Sequence, residues 1–165
     1  MMDINLAKSI YSYDSATGNF AWRVDRGYQA KAGNIAGTTN ALGYRCIRLE
    51  GKQVLGHRLA WAMTYGMLPS QEIDHVNGDP SDNRLENLRE ASHQQNMINR
   101  CMPANNTSGM KGVSIHKQSG RWRARIKNPK GKYEHIGMYD SAEFAHAAYQ
   151  NEALKLHGEY ARKEN

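Results

Sequence analysis

The chain has 165 residues, with 22 lysines and arginines against 16 aspartates and glutamates, a formal charge of +6. That length allows one respectable core or two small ones, and the cationic excess points to a polyanionic partner, either nucleic acid or an anionic membrane surface. No apolar run approaches the roughly 18 residues of a spanning helix and no charged-then-apolar signal segment opens the chain, so no membrane role is expected. Cys46 and Cys101 form no CxxC pair, which excludes a cysteine-built zinc site and fits two reduced thiols in a cytoplasmic protein.

Residues 1–56 read as short strands joined by turns. Thr17-Gly18-Asn19 is a turn signal between Tyr11-Ser12-Tyr13 and residues 20–24. Residues 44–49 alternate apolar with polar side chains, then turn at Glu50-Gly51-Lys52 into Gln53-Val54-Leu55. Arg45 and Arg48 do not share a face of that strand, so the block reads equally as a scaffold and as a DNA-contacting sheet. Residues 57–65 carry the apolar bulk of a helix in Leu59, Ala60, Trp61 and Met63, and Gly66 is placed to stop it. At its start His57 is expected to pack or cap.

Pro69 opens an extended segment that carries Asp74 and His75. Residues 77–86 form a polar loop in which Asp82 and Asn83 read as turn formers, and residues 85–89 return as a second strand. Ser92 is the expected N-cap of a helix over residues 94–100. The order is strand, loop, strand, helix. Residues 101–109 have linker character. Beyond them three strands are expected at 112–116, 121–127 and 133–138. A helix follows from about Ser141 to His157, with Asp140 and Glu143 at capping-box spacing and Gly158 as the C-terminal cap.

The chemistry concentrates between residues 72 and 96. Hydrolysis of a phosphodiester needs a stronger nucleophile than neutral water and a way to carry negative charge on the phosphorus and leaving oxygens. A divalent ion answers the second need. Histidine, with an ordinary pKa of about 6.5, answers the first. Asp74 directly precedes His75, Asn87 lies on the returning strand, and His93 and Asn96, three apart on the next helix, share a face. Adjacent strand positions point to opposite sides. Asp74 and His75 therefore serve one site only if the strand bends after them, where Asn77-Gly78 follows, or if the metal and the phosphate lie on different sides of its end.

The stretches His57-Arg58-Leu59-Ala60-Trp61, Asp74-His75-Val76-Asn77-Gly78 and Asn83-Arg84-Leu85-Glu86-Asn87-Leu88 together resemble the HNH family of endonucleases, with its ββα-metal core, and within it the branch of phage and intron homing endonucleases. The resemblance covers roughly residues 57–100. It implies that Asp74 is a metal ligand, His75 the general base and Asn87 an orienting residue. Asn96 takes the third signature position, with His93 as a rival. An amide oxygen and a carboxylate suit magnesium or manganese better than zinc.

In the last block, Trp122, Ala124 and Ile126 alternate with Arg121, Arg123, Arg125 and Lys127, which places apolar groups on one face and cations on the other. Phe144, Ala145, Ala148 and Tyr149 of the following helix are expected to cover the apolar face. Tyr133, His135, Ser114 and His116 join the open face, which suits a major groove. Gly112-Val113-Ser114, residues 122–126, Ile136-Gly137-Met138-Tyr139 and the helix residues Ser141, Ala142, Glu143, Ala145, Ala148 and Tyr149 resemble the AP2 DNA-binding domain. Ser114 and His116 stand where arginines are usual in that family, so no sequence preference carries over.

The expectation is therefore an α+β chain in four parts: an N-terminal β-rich region (1–56), an HNH nuclease core (57–100), a linker (101–109) and an AP2-like DNA-binding domain (110–165) whose three-stranded antiparallel sheet packs on one helix. Its expected function is a metal-dependent endonuclease, a phosphodiester hydrolase acting on double-stranded DNA in the host cytoplasm, with Mg2+ or Mn2+ and no small-molecule cofactor. One such site cuts one strand, and the sequence leaves nick against break and the oligomeric state open. A non-catalytic sequence-specific DNA-binding regulator is the alternative, and a nuclease acting on RNA is a third reading.

Overall fold

In the computed structural model the described residues are 2–100 and 106–162. They form a mixed α+β architecture of four helices and four small antiparallel sheets. The chain divides into two compact units, residues 1–93 and 94–165.

The first unit opens with a helix, α1 (Ile4–Ile10), where strands were expected. Asp3 caps it: its side-chain oxygen accepts a hydrogen bond from Leu6 N at 2.9 Å. Ala7 and Ile10 then fall on one buried face. β1 (Tyr11–Tyr13) and β2 (Phe20–Trp22) form a hairpin, and β3 (Thr38–Thr39), β4 (Arg45–Leu49) and β5 (Lys52–Leu55) form a second sheet in that order. α2 (Gly56–Tyr65) ends at Gly66, whose φ of 73° is left-handed.

β6 (Glu72–His75) pairs with β7 (Leu88–Ala91), setting Asp74 opposite Arg89 and His75 opposite Leu88. The second strand thus starts three residues later than expected, because Leu85–Asn87 is a 3-10 turn. The backbone is drawn aside there: Leu85 N donates to Ser15 O at 3.0 Å and Asn87 N to Arg84 O at 2.9 Å. One core joins the unit through Ile10, Tyr11, Phe20, Ile47, Leu59, Ile73 and Leu88, all buried.

The second unit begins with α3 (His93–Asn99), the division falling just after its first residue. Of the expected linker, residues 101–105, Cys101 included, lie outside the described residues. β8 (Val113–Ile115), β9 (Trp122–Lys127) and β10 (Tyr133–Tyr139) make a sheet in the order β10-β9-β8, and α4 (Ala142–His157) packs against it. The expected capping box shifts by one residue. Ser141, not Asp140, caps α4, its Oγ accepting from Phe144 N at 3.2 Å, while Asp140 accepts from Arg121 Nε at 3.0 Å.

The cover from α4 comes from Ala142, Ala145, Tyr149 and Ala153. Phe144, expected in that set, is 69% exposed, because it sits on the turn that faces away from the sheet. Approach is close at Gly112: at φ of +75° a side-chain carbon there would come within 2.1 Å of the Tyr149 ring.

Candidate active site

β6 runs as a regular strand through His75, and the chain turns only afterwards, Gly78 N donating to His75 O at 2.8 Å. Asp74 and His75 therefore point to opposite faces. On its face Asp74, 4% exposed, meets the cross-strand Arg89, whose Nε and Nη2 donate to Asp74 Oδ2 at 2.9 and 2.7 Å. The pairing follows from the register, which sets these two residues directly opposite.

On the other face His75, 6% exposed, enters an aromatic box. The His57 ring stands perpendicular to it, centroids 5.0 Å apart, and the Tyr44 ring lies at 6.0 Å. His75 Nε2 is 3.3 Å from Asn83 Oδ1. Burial holds the His75 imidazole below the ordinary histidine range, although the Asn83 bond and the carboxylates of Asp74, Asp79 and Asp82 pull the other way. His57 is pushed further, to about 3, by burial and then by His75 and Arg58. Both rings are neutral at pH 7, and a neutral imidazole can accept a proton.

Asn87 braces the loop between the strands. Its side-chain oxygen accepts from Asn77 N at 2.9 Å, and its amide donates to Asn77 Oδ1 at 3.0 Å and to Asp82 O at 2.8 Å. Asp82 is held in turn by Arg84, and that contact keeps its carboxyl below the usual range. Asn87 thus ties the loop that follows His75. Asn83, which the sequence places in the HNH-like stretch and otherwise reads as a turn former, is a side chain within hydrogen-bond distance of the His75 ring. Nothing in a polar loop signals that one of its asparagines is 1% exposed.

His93, the rival ligand, is exposed, and its Nδ1 meets Glu72 Oε1 at 2.9 Å. Asn96 lies half-buried on α3, in the second unit. Among the described residues no group of three or more His, Cys, Asp and Glu side chains gathers as a metal cage. Among the described residues the donor at this strand is the buried carboxylate of Asp74, an oxygen ligand that fits a hard ion completing its shell with water and phosphate oxygens.

In the second unit the alternation of β9 holds. Ala124 and Ile126 are buried, and Arg123 and Arg125 face the other way with Lys127. Register sets Ser114 and Met138 beside Arg123, His135 beside Arg125, and Tyr133 beside Lys127. A bulge between His135 and Gly137 turns Ile136 inward and returns Met138 to the cationic face. Arg125 stacks over the Tyr133 ring at 5.2 Å. His116 lies just past β8 and bonds Ser119 Oγ at 2.9 Å. His116, Ser119, Arg121, Arg123, Arg125, His135 and Met138 line a shallow depression of about 570 Å³. Met138 and Ser119 escaped the sequence reading because a bulge and a turn place them there. Among the described residues no helix is long and apolar enough to cross a membrane.

The profile of the HNH endonuclease family matches residues 54–98, which encloses Asp74, His75, Asn87 and Asn96. A solved structure of DNA binding and cleavage by the HNH homing endonuclease I-HmuI is similar at a TM-score of 0.40 and 19% identity, over 89% of this chain and 84% of that one. Protein 3.8 of Escherichia phage T7 is 35% identical over 107 residues, which cover 64% of this chain and 87% of that protein. The chain belongs to the family of that phage protein, and residues 54–98 form its HNH endonuclease domain.

Proposed function

We propose that this protein is a metal-dependent endonuclease of the phage or intron homing type that hydrolyses phosphodiester bonds of duplex DNA in the host cytoplasm. The observation that carries the reading is the buried, neutral imidazole of His75 immediately after the carboxylate of Asp74, inside the HNH domain. His75 accepts the proton of the attacking water. A positioned base of this kind is worth about 10²- to 10⁴-fold in rate. Asn87 holds the loop that follows, so the strand end keeps one shape as DNA arrives. Arg89 fixes the orientation of the Asp74 carboxylate.

A divalent ion, magnesium or manganese, held by Asp74 with Asn96 as a second donor would neutralise charge on the scissile phosphate and the leaving 3′ oxygen. Arg121, Arg123, Arg125 and Lys127 supply phosphate contacts, and Tyr133, His135, Ser114 and His116 surround them on the AP2-like sheet. Arginine there can also read guanine edges.

Incubation of supercoiled plasmid with the protein and magnesium or manganese tests the reading: wild type converts plasmid to nicked or linear forms, while His75→Ala and Asp74→Ala do not. Normal cutting by both variants overturns the site. The ion pair that already occupies Asp74 favours a second reading, a DNA-binding regulator without catalysis. An intact plasmid together with a shifted band in a binding gel supports that one.

A further inference from the structure

We infer that the depression on the cationic face of β9 seats one backbone phosphate of duplex DNA, with His116 and His135 as its titrating donors, so that affinity for DNA rises as the pH falls through the ordinary histidine range. The inference rests on the reading of this sheet as the DNA surface.

Three strands bring the donors together. His116 lies just past β8, and its backbone N donates to Arg121 O at 2.8 Å, just before β9. His135 sits on β10 directly opposite Arg125. Arg123 and Arg125 are half-buried and Arg121 is exposed. These five side chains line one shallow depression. With its Nδ1 held by Ser119 Oγ at 2.9 Å, the His116 ring meets a phosphate through Nε2.

Among the described residues no carboxylate lines the depression. Asp140, just past β10, accepts from Arg121 Nε at 3.0 Å and so offsets one of the three guanidinium charges. Glu134, beside His135, accepts from Asn128 Nδ2 at 2.7 Å. Arg125 lies over the Tyr133 ring, and Lys127 stands opposite Tyr133 in register. From α4, Ala142, Ala145 and Tyr149 pack on the other, apolar side of the sheet.

A protonated imidazole donates from both ring nitrogens and carries a charge, whereas a neutral one donates from a single nitrogen. A phosphate against the ring favours the charged form, so DNA binding takes up protons. The bound-state pKa then lies above the free one. The added affinity is complete below the free value and is lost as the pH rises through the bound value. Each unit of that difference is worth about 10-fold in affinity per histidine.

Fluorescence anisotropy of a labelled random-sequence duplex, titrated with the full chain in EDTA at constant ionic strength, tests this. The wild-type Kd should fall about 10-fold or more between about pH 8 and about pH 6. The double variant His116→Gln, His135→Gln should keep the weak high-pH affinity throughout. The double variant His116→Arg, His135→Arg, with permanent charges on the same surface, should bind tightly throughout. A constant wild-type Kd across the range overturns the inference, as does a full pH response surviving in the glutamine variant. Unchanged affinity in both Arg123→Ala and Arg125→Ala would remove the underlying reading of the sheet as well. Weakened binding in those two variants with a flat wild-type pH profile would strike the histidines alone.

Discussion

The two regions that carry the proposed function are built in opposite ways. Around His75 the polar groups are buried and mutually bonded: Asn83 and the rings of His57 and Tyr44 surround the imidazole, while Asn87 ties the adjoining loop to Asn77 and Asp82. On the cationic β9 face the residues are exposed or half-buried. Arg123 Nε and Ser114 Oγ, neighbours in register, are buried without a hydrogen bond among the described residues. A base for proton transfer needs one fixed geometry and low solvation. A surface for a polyanion gains more from cations that remain able to adjust to phosphates. Under the proposed function, a rigid, buried site accompanies the chemistry and a solvent-facing cationic sheet accompanies recognition.

Substitutions can break that contrast. The largest effect is expected at the rigid site: His75→Ala should slow plasmid cleavage by about 10²- to 10⁴-fold with DNA affinity nearly unchanged in a gel-shift titration. If affinity collapses instead, His75 belongs to the binding surface. Asn87→Ala removes three side-chain bonds from a residue that is 5% exposed. It should lower stability to urea by about 2–4 kcal/mol and reduce cutting through the loosened loop. A drop well under 1 kcal/mol would show that the loop stands without it.

A pH series sharpens the same point. The folded-state pKa of His57 is depressed from 6.5 to about 3. Above pH 6.5 the ring is neutral in both states and its stabilising contribution is complete. As the pH falls through the window from 6.5 to 3, the unfolded chain binds a proton that the folded chain refuses, so stability drops, by at most about 1.4 kcal/mol per pH unit. His75 is depressed in the same direction. Urea midpoints of wild type and His57→Gln measured from pH 7 to pH 4 should converge as the pH falls, and parallel curves would exclude a buried neutral His57.

The smallest effects belong to the open face. Arg123→Ala or Arg125→Ala should weaken duplex binding several-fold and lower the salt slope by about 0.9 for each phosphate left without its cation, with cleavage recovering at high protein concentration. Unchanged affinity would remove this sheet from the DNA-binding surface.

Much of this architecture was legible in the residues themselves. The alternation of Arg121 to Lys127 gave the two faces of β9, since a period of two needs only the local backbone to express it. The glycine after Tyr65 marked the end of α2, and the Asp74-His75 pair with Asn87 marked the HNH domain. Local patterns failed where a distant segment intervened. Ser15 bends residues 85–87 out of the strand they were assigned to, and Arg121 takes Asp140 from the cap it was expected to form, leaving Ser141 to do it. α1 was missed although its cap, Asp3, was in plain sight, because the short strands that follow dominated the pattern of that block.

The sequence by itself determined which residue types are present at the site and how strands alternate, because those properties depend on side-chain chemistry and nearest neighbours along the chain. Only the tertiary structure decided that Asn83 meets the imidazole, that Arg89 meets Asp74 and that His57 is buried beside His75. These contacts join segments whose approach is fixed by a common hydrophobic core drawn from α1, the first two sheets, α2 and the β6–β7 pair. The burial that follows sets the protonation states on which a base depends.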